Sequence, residues 1–258
     1  MKTAIVTGAG GDIGRAICTK LVSVGWQVCG FDIDEEKLSE TQSNIADSNC
    51  FYPIKCDVRS MASVLDATRD AEIRFGTLNA LINNAGGITK PTLLTMTEED
   101  WLADIDLNLN GAWRCIHAIQ NRLINQDGDS VILNIASING TGIYGYPGYS
   151  VAKAGLIHLT RFCASELGKY GVRSIAICPG TVRTKAWDSR LAADPTILEK
   201  VVEWYPSRTL CTSENVANFA ELLIRSANTQ LNGAVVPLDG GLSVGSDRLA
   251  SEFAGIKL

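Results

Sequence analysis

Tyr149-Ser-Val-Ala-Lys153 places a phenol and an ammonium four residues apart, with Ser137 twelve residues upstream. On a helix, residues at that spacing share one face, one above the other. An adjacent ammonium favours the phenolate and draws a tyrosine pKa from about 10 toward neutrality. Such a group can take or give a proton at physiological pH. Isolated Tyr–Lys pairs are common on protein surfaces. Here a glycine-rich turn near the start of the chain predicts a cofactor for the pair to serve.

That turn is Thr7-Gly-Ala-Gly-Gly-Asp-Ile-Gly14, which follows an apolar run and opens a helical pattern at Arg15-Ala-Ile-Cys. Glycine allows a tight bend and lets backbone approach a pyrophosphate, which a helix N-terminus then stabilises. A second apolar run ends in Asp32, about 18 residues past Gly14. Strand, turn, helix, strand and terminal acid together make a dinucleotide site, with Gly8, Gly11, Asp12, Ile13, Gly14, Asp32 and Ile33 against the cofactor. Asp32 accepts from ribose hydroxyls and repels a 2′-phosphate, and Ile33 rather than a basic residue follows it, so NAD is expected over NADP. Arg15 reads as an exposed first-turn residue. Asp12 reads as a helix cap, its carboxylate bonding first-turn amides.

These groups need a scaffold that gathers them. Short apolar runs at 3–7, 27–32, 50–55, 80–83, 130–135, 174–178 and 234–237 alternate with helical patterns starting near Asp12, Glu35, Ser60, Thr97, Gly148 and Ser213. Apolar strands alternating with helices predict an α/β fold: a doubly wound Rossmann-type parallel sheet of about seven strands, covered by helices on both faces. Ligands then bind beyond the carboxyl ends of the strands. The helices near Thr97 and Gly148 are apolar around much of their circumference, with Trp113, Ile116, Ile119, Leu156, Leu159 and Phe162. Such helices need two buried faces, one on the sheet and one on another subunit. A homo-oligomer is the expectation.

At 258 residues and 46% hydrophobic content, the chain reads as one domain spanning 1–258, with a substrate lid at about 185–211 and a C-terminal tail at about 242–258. A net charge of −5 gives no basic footprint for nucleic acid or an anionic membrane. No signal peptide or 18-residue apolar run is seen, and a cytoplasmic protein is expected. The eight scattered cysteines read as reduced core residues, and His117 and His158 offer no zinc spacing, so no metal is expected.

Read together, these residues resemble the short-chain dehydrogenase/reductase family, in its single-domain form, over nearly the whole chain. Asp57-Val58 matches a family position for the adenine ring, and Asn84, Ala85 and Gly86 would lie along the cofactor. Asn108-Leu-Asn-Gly111 matches the family's Asn-Leu-x-Gly. Pro179, Gly180, Val182 and Thr184 match the segment that holds the carboxamide side of the nicotinamide, and Asp239-Gly-Gly241 matches the family's ending. One position departs: the family's usual glycine is Asp12 here. The resulting glycine spacing at 8, 11 and 14 is that of a longer, epimerase-like branch, for whose added C-terminal region this chain is too short.

The resemblance implies a homotetrameric enzyme with Asn108, Ser137, Tyr149 and Lys153 as its catalytic set. Hydride would pass between NAD and the carbinol or carbonyl carbon of a small secondary alcohol or ketone, a polyol or sugar derivative being the first choice. Tyr149 would exchange the proton, and Ser137 would orient the substrate oxygen. Lys153 would lower the tyrosine pKa and, with Tyr149, meet the nicotinamide ribose. Asn108 would hold a relay water. Ser137, Asn139, Tyr144, Tyr149 and Trp187 are the candidate substrate contacts, with Tyr146, Trp204, Tyr205, Thr141 and Arg183 nearby in sequence. The alternatives are a 3-oxoacyl thioester reductase using NADPH, an isomerase or dehydratase working by transient oxidation, and a non-enzymatic NAD-sensing protein.

Overall fold

The computed structural model describes residues 1–124, 129–226 and 229–256. Seven strands form one parallel sheet: β1 (Thr3–Thr7), β2 (Gln27–Asp32), β3 (Phe51–Lys55), β4 (Ala80–Asn83), β5 (Ser130–Ile135), β6 (Val172–Pro179) and, after a separate strand pair, β9 (Val235–Leu238). Their order is β3-β2-β1-β4-β5-β6-β9, with every pairing parallel. The chain thus winds outward from β1 to β3, then crosses back to β4. That reversal opens a crevice at the carboxyl ends of β1 and β4.

Side-chain alternation along the strands feeds two cores. Ala4 and Val6 of β1 face one side, packing with Ile17, Cys18 and Leu21 of α1 (Asp12–Ser23), Leu38 of α2 (Glu35–Ser43) and Val216, Ala217 and Ala220 of α9 (Ser213–Arg225). Ile5 faces the other side, with Val64, Ala67 and Ala71 of α3 (Met61–Phe75), Ile116 and Ile119 of α5 (Gly111–Ile124) and Cys163 of α6 (Pro147–Leu167). Two covered faces explain why the strands read as continuous apolar runs rather than alternating ones.

The helix expected from Thr97 onward is more complex. Thr97 caps α4 (Glu98–Ile105) through a capping box with Asp100. A π-helical turn, Asp106–Asn110, then intervenes before α5. Two further features were not foreseen. A small sheet pairs β7 (Val182–Arg183) with β8 (Cys211–Thr212), and the segment between them folds into a 3-10 turn (Lys185–Trp187) and helices α7 (Asp188–Ala193) and α8 (Ile197–Val202). The C-terminal tail forms α10 (Asp247–Ala254), tied to the preceding segment by ion pairs Arg208–Asp247 and Arg248–Glu203. Lys257 and Leu258, the end of the expected tail, lie outside the described residues. Among the described residues no helix is long and apolar enough to cross a membrane.

Candidate active site

The turn after β1 requires its glycines. Gly8 has φ +65, and a Cβ at Gly14 would drive into the Gly8 carbonyl. Helix α1 starts from Gly11 with no side-chain cap, so its first-turn amides keep their capacity for an anion. The expectation for Asp12 is corrected here. Its carboxylate does not cap α1 but accepts the Lys185 backbone N–H at 2.6 Å. The site cap was the right residue type for local bonding, but a tertiary donor from the lid segment competes for it.

Asp32, at the end of β2, accepts the Gly10 N–H at 2.9 Å and the Asp34 N–H at 3.0 Å. Its carboxylate therefore borders the turn, where an adenosine ribose would lie. Ile33 beside it is exposed. Arg15 is not the exposed residue expected: it donates to Glu40, to the Gly10 carbonyl and to Thr41. Asp57 is gripped by Arg59 through two contacts of 2.9 Å, which hold the Asp57 carboxyl below its usual range. Val58 next to it is buried. At the end of β4, Asn84 donates to the Thr7 carbonyl at 3.0 Å, while the Thr7 hydroxyl accepts both the Asn84 and Ala85 N–H groups. Strands β1 and β4 are thereby stitched together at the crevice. Among the described residues no group of three or more His, Cys, Asp or Glu gathers as a metal site.

The four candidate catalytic residues converge. Asn108 lies in the π turn, buried, with its Oδ1 accepting the Gly87 N–H at 3.2 Å. Its Nδ2 donates to the carbonyls of Gly87 and Asp104 at 2.8 and 2.9 Å. A Cβ at Gly86 would meet Asn108 Oδ1 at 2.7 Å and Lys153 Nζ at 3.6 Å, which places all three together. Ser137 follows β5, its hydroxyl against the Tyr149 phenol and accepting the Asn139 N–H at 3.2 Å. Lys153 Nζ lies 5.5 Å from the centre of the Tyr149 ring.

The electrostatics differ from what the spacing implies. Burial raises the Tyr149 phenol above its ordinary value; the Ser137 hydroxyl opposes this, and Cys178 and Asp104 add to it. The same burial acts on Lys153 in the opposite direction. Its pKa falls to about 8, and its Nζ donates a hydrogen bond to the Ile135 carbonyl at 2.8 Å.

Other expected contacts are distributed unevenly. Asn139 spends both amide hydrogens on the Gly145 carbonyl and the Ser150 hydroxyl, each at 3.0 Å, so it braces its loop. Tyr144 is 39% exposed and free to meet a ligand. Tyr205 is buried, its hydroxyl accepting the Thr181 N–H at 2.7 Å next to Gly180, a packing role. Gly180 itself donates to Leu238, Val182 accepts from Trp187 Nε1 at 3.2 Å, and Thr184 starts the 3-10 turn. Pro179 closes β6.

Two residues of the site escaped the sequence. Asp104, 2% exposed on α4, accepts the Thr89 hydroxyl at 2.9 Å and faces the Tyr149 N–H at the uncapped start of α6. Burial raises its carboxyl above the usual range. Arg190 on α7 donates to the Tyr146 hydroxyl at 2.5 Å. An apolar helix face interrupted by an acid was the only signal for Asp104.

Known proteins resemble this chain in sequence and in fold. A family model described as Enoyl-(Acyl carrier protein) reductase matches residues 8–243. An uncharacterized oxidoreductase of Schizosaccharomyces pombe is 31% identical over 98% of this chain and 95% of its own. A probable 2,4-dienoyl-CoA reductase of Bacillus subtilis is 33% identical over 93% and 96%. The crystal structure of a short-chain dehydrogenase/reductase family oxidoreductase from Burkholderia thailandensis superposes with a TM-score of 0.93 at 32% identity, covering 99% and 98% of the two chains. The chain belongs to the short-chain dehydrogenase/reductase family. It is an oxidoreductase of the NAD(P)-using kind.

Proposed function

We propose that this protein is an NAD-dependent dehydrogenase/reductase acting on the carbinol or carbonyl carbon of a small secondary alcohol or ketone, with Tyr149 as its acid/base. The observation that carries this reading is the convergence of Ser137, Tyr149, Lys153 and Asn108 beside the glycine turn. NAD fits the residues present: an uncapped helix start for the pyrophosphate and the Asp32 carboxylate at the turn for ribose hydroxyls. When bound, it supplies a hydride acceptor or donor.

The chain's own residues manage the proton. In reduction Tyr149 gives its proton to the carbonyl oxygen while Ser137 holds that oxygen by a hydrogen bond. In oxidation the Tyr149 phenolate takes the alcohol proton. Because burial raises the phenol, Tyr149 is protonated at neutral pH, which suits the reducing direction. Asn108 spends both amide hydrogens on the Gly87 and Asp104 carbonyls, so its side chain fixes the 84–87 loop against the π turn, and a relay water would be held through its oxygens. Turnover of a panel of secondary alcohols, polyols and ketones, followed by NADH absorbance, tests the reading. No activity with any member, or a clear NADP preference, would overturn it.

A second reading, a thioester reductase using NADPH, is favoured by the description of the matching family model and by the name of the B. subtilis relative. Turnover of a 3-oxoacyl-coenzyme A with NADPH and none with free ketones would select it.

A homotetramer belongs to the same proposal. Trp113 and Phe162 stand 46% and 53% exposed on α5 and α6, stacked on His117 and edge-on to His158. A second copy covering these faces would bury them, and light scattering showing a monomer would count against it. The eight free cysteines, most of them buried, suit the reducing cytoplasm.

A further inference from the structure

Residues 185–190 bridge the mouth of the crevice. Lys185 is fixed at the glycine turn by Asp12, and Arg190 is fixed at the start of α6 by Tyr146. The far end of this bridge is thus anchored one helical turn before Tyr149. That end is unusual in three respects. Arg190 forms no ion pair among the described residues, although Asp194, four residues on, pairs with Lys200. Its guanidinium stacks 4.8 Å from the centre of the Trp187 ring and 5.9 Å from that of Tyr146. Tyr146 itself holds a left-handed backbone, φ 54 and ψ 70, three residues before Tyr149. Non-glycine residues rarely adopt that conformation, and it persists where surrounding structure over-determines it. Here the Pro91 carbonyl holds the Tyr146 N–H at 3.0 Å and Pro147 follows it as the first helical residue.

A planar guanidinium lying against Trp187 and bonded to the Tyr146 hydroxyl is held in place, and that hydroxyl occupies only part of its five donors. Such a group binds a carboxylate by two parallel hydrogen bonds. We infer that Arg190 recognises a carboxylate on the substrate, so that the reacting molecule is a small hydroxy or oxo acid rather than a neutral polyol. The carboxylate would lie a few bonds from the reacting carbon, because Arg190 is anchored one helical turn before Tyr149. The phosphates of a coenzyme A thioester are separated from the reacting carbon by the whole pantetheine arm and do not meet this geometry. The inference rests on the dehydrogenase reading for its site and sharpens its substrate class.

Binding is read from Trp187, whose fluorescence is isolated as the difference between the wild type and Trp187→Phe, with NAD present. The probes are 2-hydroxybutyrate and 3-hydroxybutyrate against their amides, with 3-hydroxybutyryl-coenzyme A as a third arm. The acids are expected to bind about tenfold or more tightly than the amides, and Arg190→Met to erase that difference by weakening the acids far more than the amides. Arg190→Lys should restore part of it. Equal binding of acid and amide, a preference that survives Arg190→Met, tighter binding of the thioester than of the acid, or no response to any acid would each overturn the inference. NADH formation is measured separately. Acid-selective fluorescence without turnover would sink the dehydrogenase reading and leave the carboxylate site standing.

Discussion

The Asp12 carboxylate accepts the Lys185 backbone N–H at 2.6 Å, joining the first turn of α1 to the first residue beyond Thr184. The start of α1, its own amides still open, is thereby tied to the segment that follows β7. Hydrogen bonds to a charged acceptor contribute about 1.5–3 kcal/mol where they are shielded, less where exposed. Asp12→Ala is expected to free the segment and to speed tryptic cleavage after Lys185 and Arg190 by up to roughly tenfold. Mass spectrometry of the early fragments checks it. Unchanged cleavage would mean that the contact holds nothing.

Tyr149→Phe should lower kcat by about 10²–10⁴-fold, and Ser137→Ala by about 10²–10³-fold. NAD affinity in both, read by calorimetry, should stay near the wild-type value. Near-normal turnover in Tyr149→Phe would remove the proposed acid/base.

Asp104 carries a charge that opposes ionisation of Tyr149. Oxidation requires the phenolate, so its rate should rise with pH and level off once the phenol has ionised. Asp104→Asn removes the opposing charge while keeping the shape, and the rise should move to lower pH. An unmoved profile would show that the two groups are not coupled. The other charged or titratable groups around Tyr149 are Lys153 on its own helix and Cys178 at the end of β6.

Lys153 offers a stability test with a definite sign. Its pKa is about 8 in the folded chain against 10.5 for the free side chain. Between those values the unfolded chain binds more protons, so this residue makes stability rise with pH across that window. Below pH 8 the buried ammonium opposes folding in full. Lys153→Met should therefore raise Tm at pH 7, with the difference shrinking toward pH 10.5. Activity should be lost at the same time. A lowered Tm at pH 7 would contradict the burial argument.

Asp32→Ala should raise the KM for NAD by about tenfold, through loss of charge-assisted hydrogen bonds to ribose, and narrow the gap to NADP. The ratio of kcat/KM for the two cofactors reads it directly.

The sheet and the crevice were legible because their signals are local. Apolar β-branched runs mark β1, β2, β4 and β5 to the residue, and Gly8 and Gly14 announce the turn between β1 and α1. Ser60 and Thr97, near which helical patterns were expected to start, cap α3 and α4 through their hydroxyls. What failed is what depends on contacts distant in sequence. Asp12 has the right chemistry for a cap, yet its donor lies 173 residues away. Two-residue strands such as β7 and β8 are too short to show a period, and their pairing joins segments 29 residues apart by number, 182 with 211. The tyrosine–lysine spacing correctly placed both groups, but it carries no information on how deeply they are buried, and burial decides their charges.

The π turn at Asp106–Asn110 holds one residue more than an α turn would, and Asn108 meets Gly87 from within that surplus. Deleting one residue there would let α4 and α5 run on as plain α-helix, with Ile116 and Ile119 still facing the sheet. The scaffold would outlast such a deletion; the grip of Asn108 on the neighbouring loop would not.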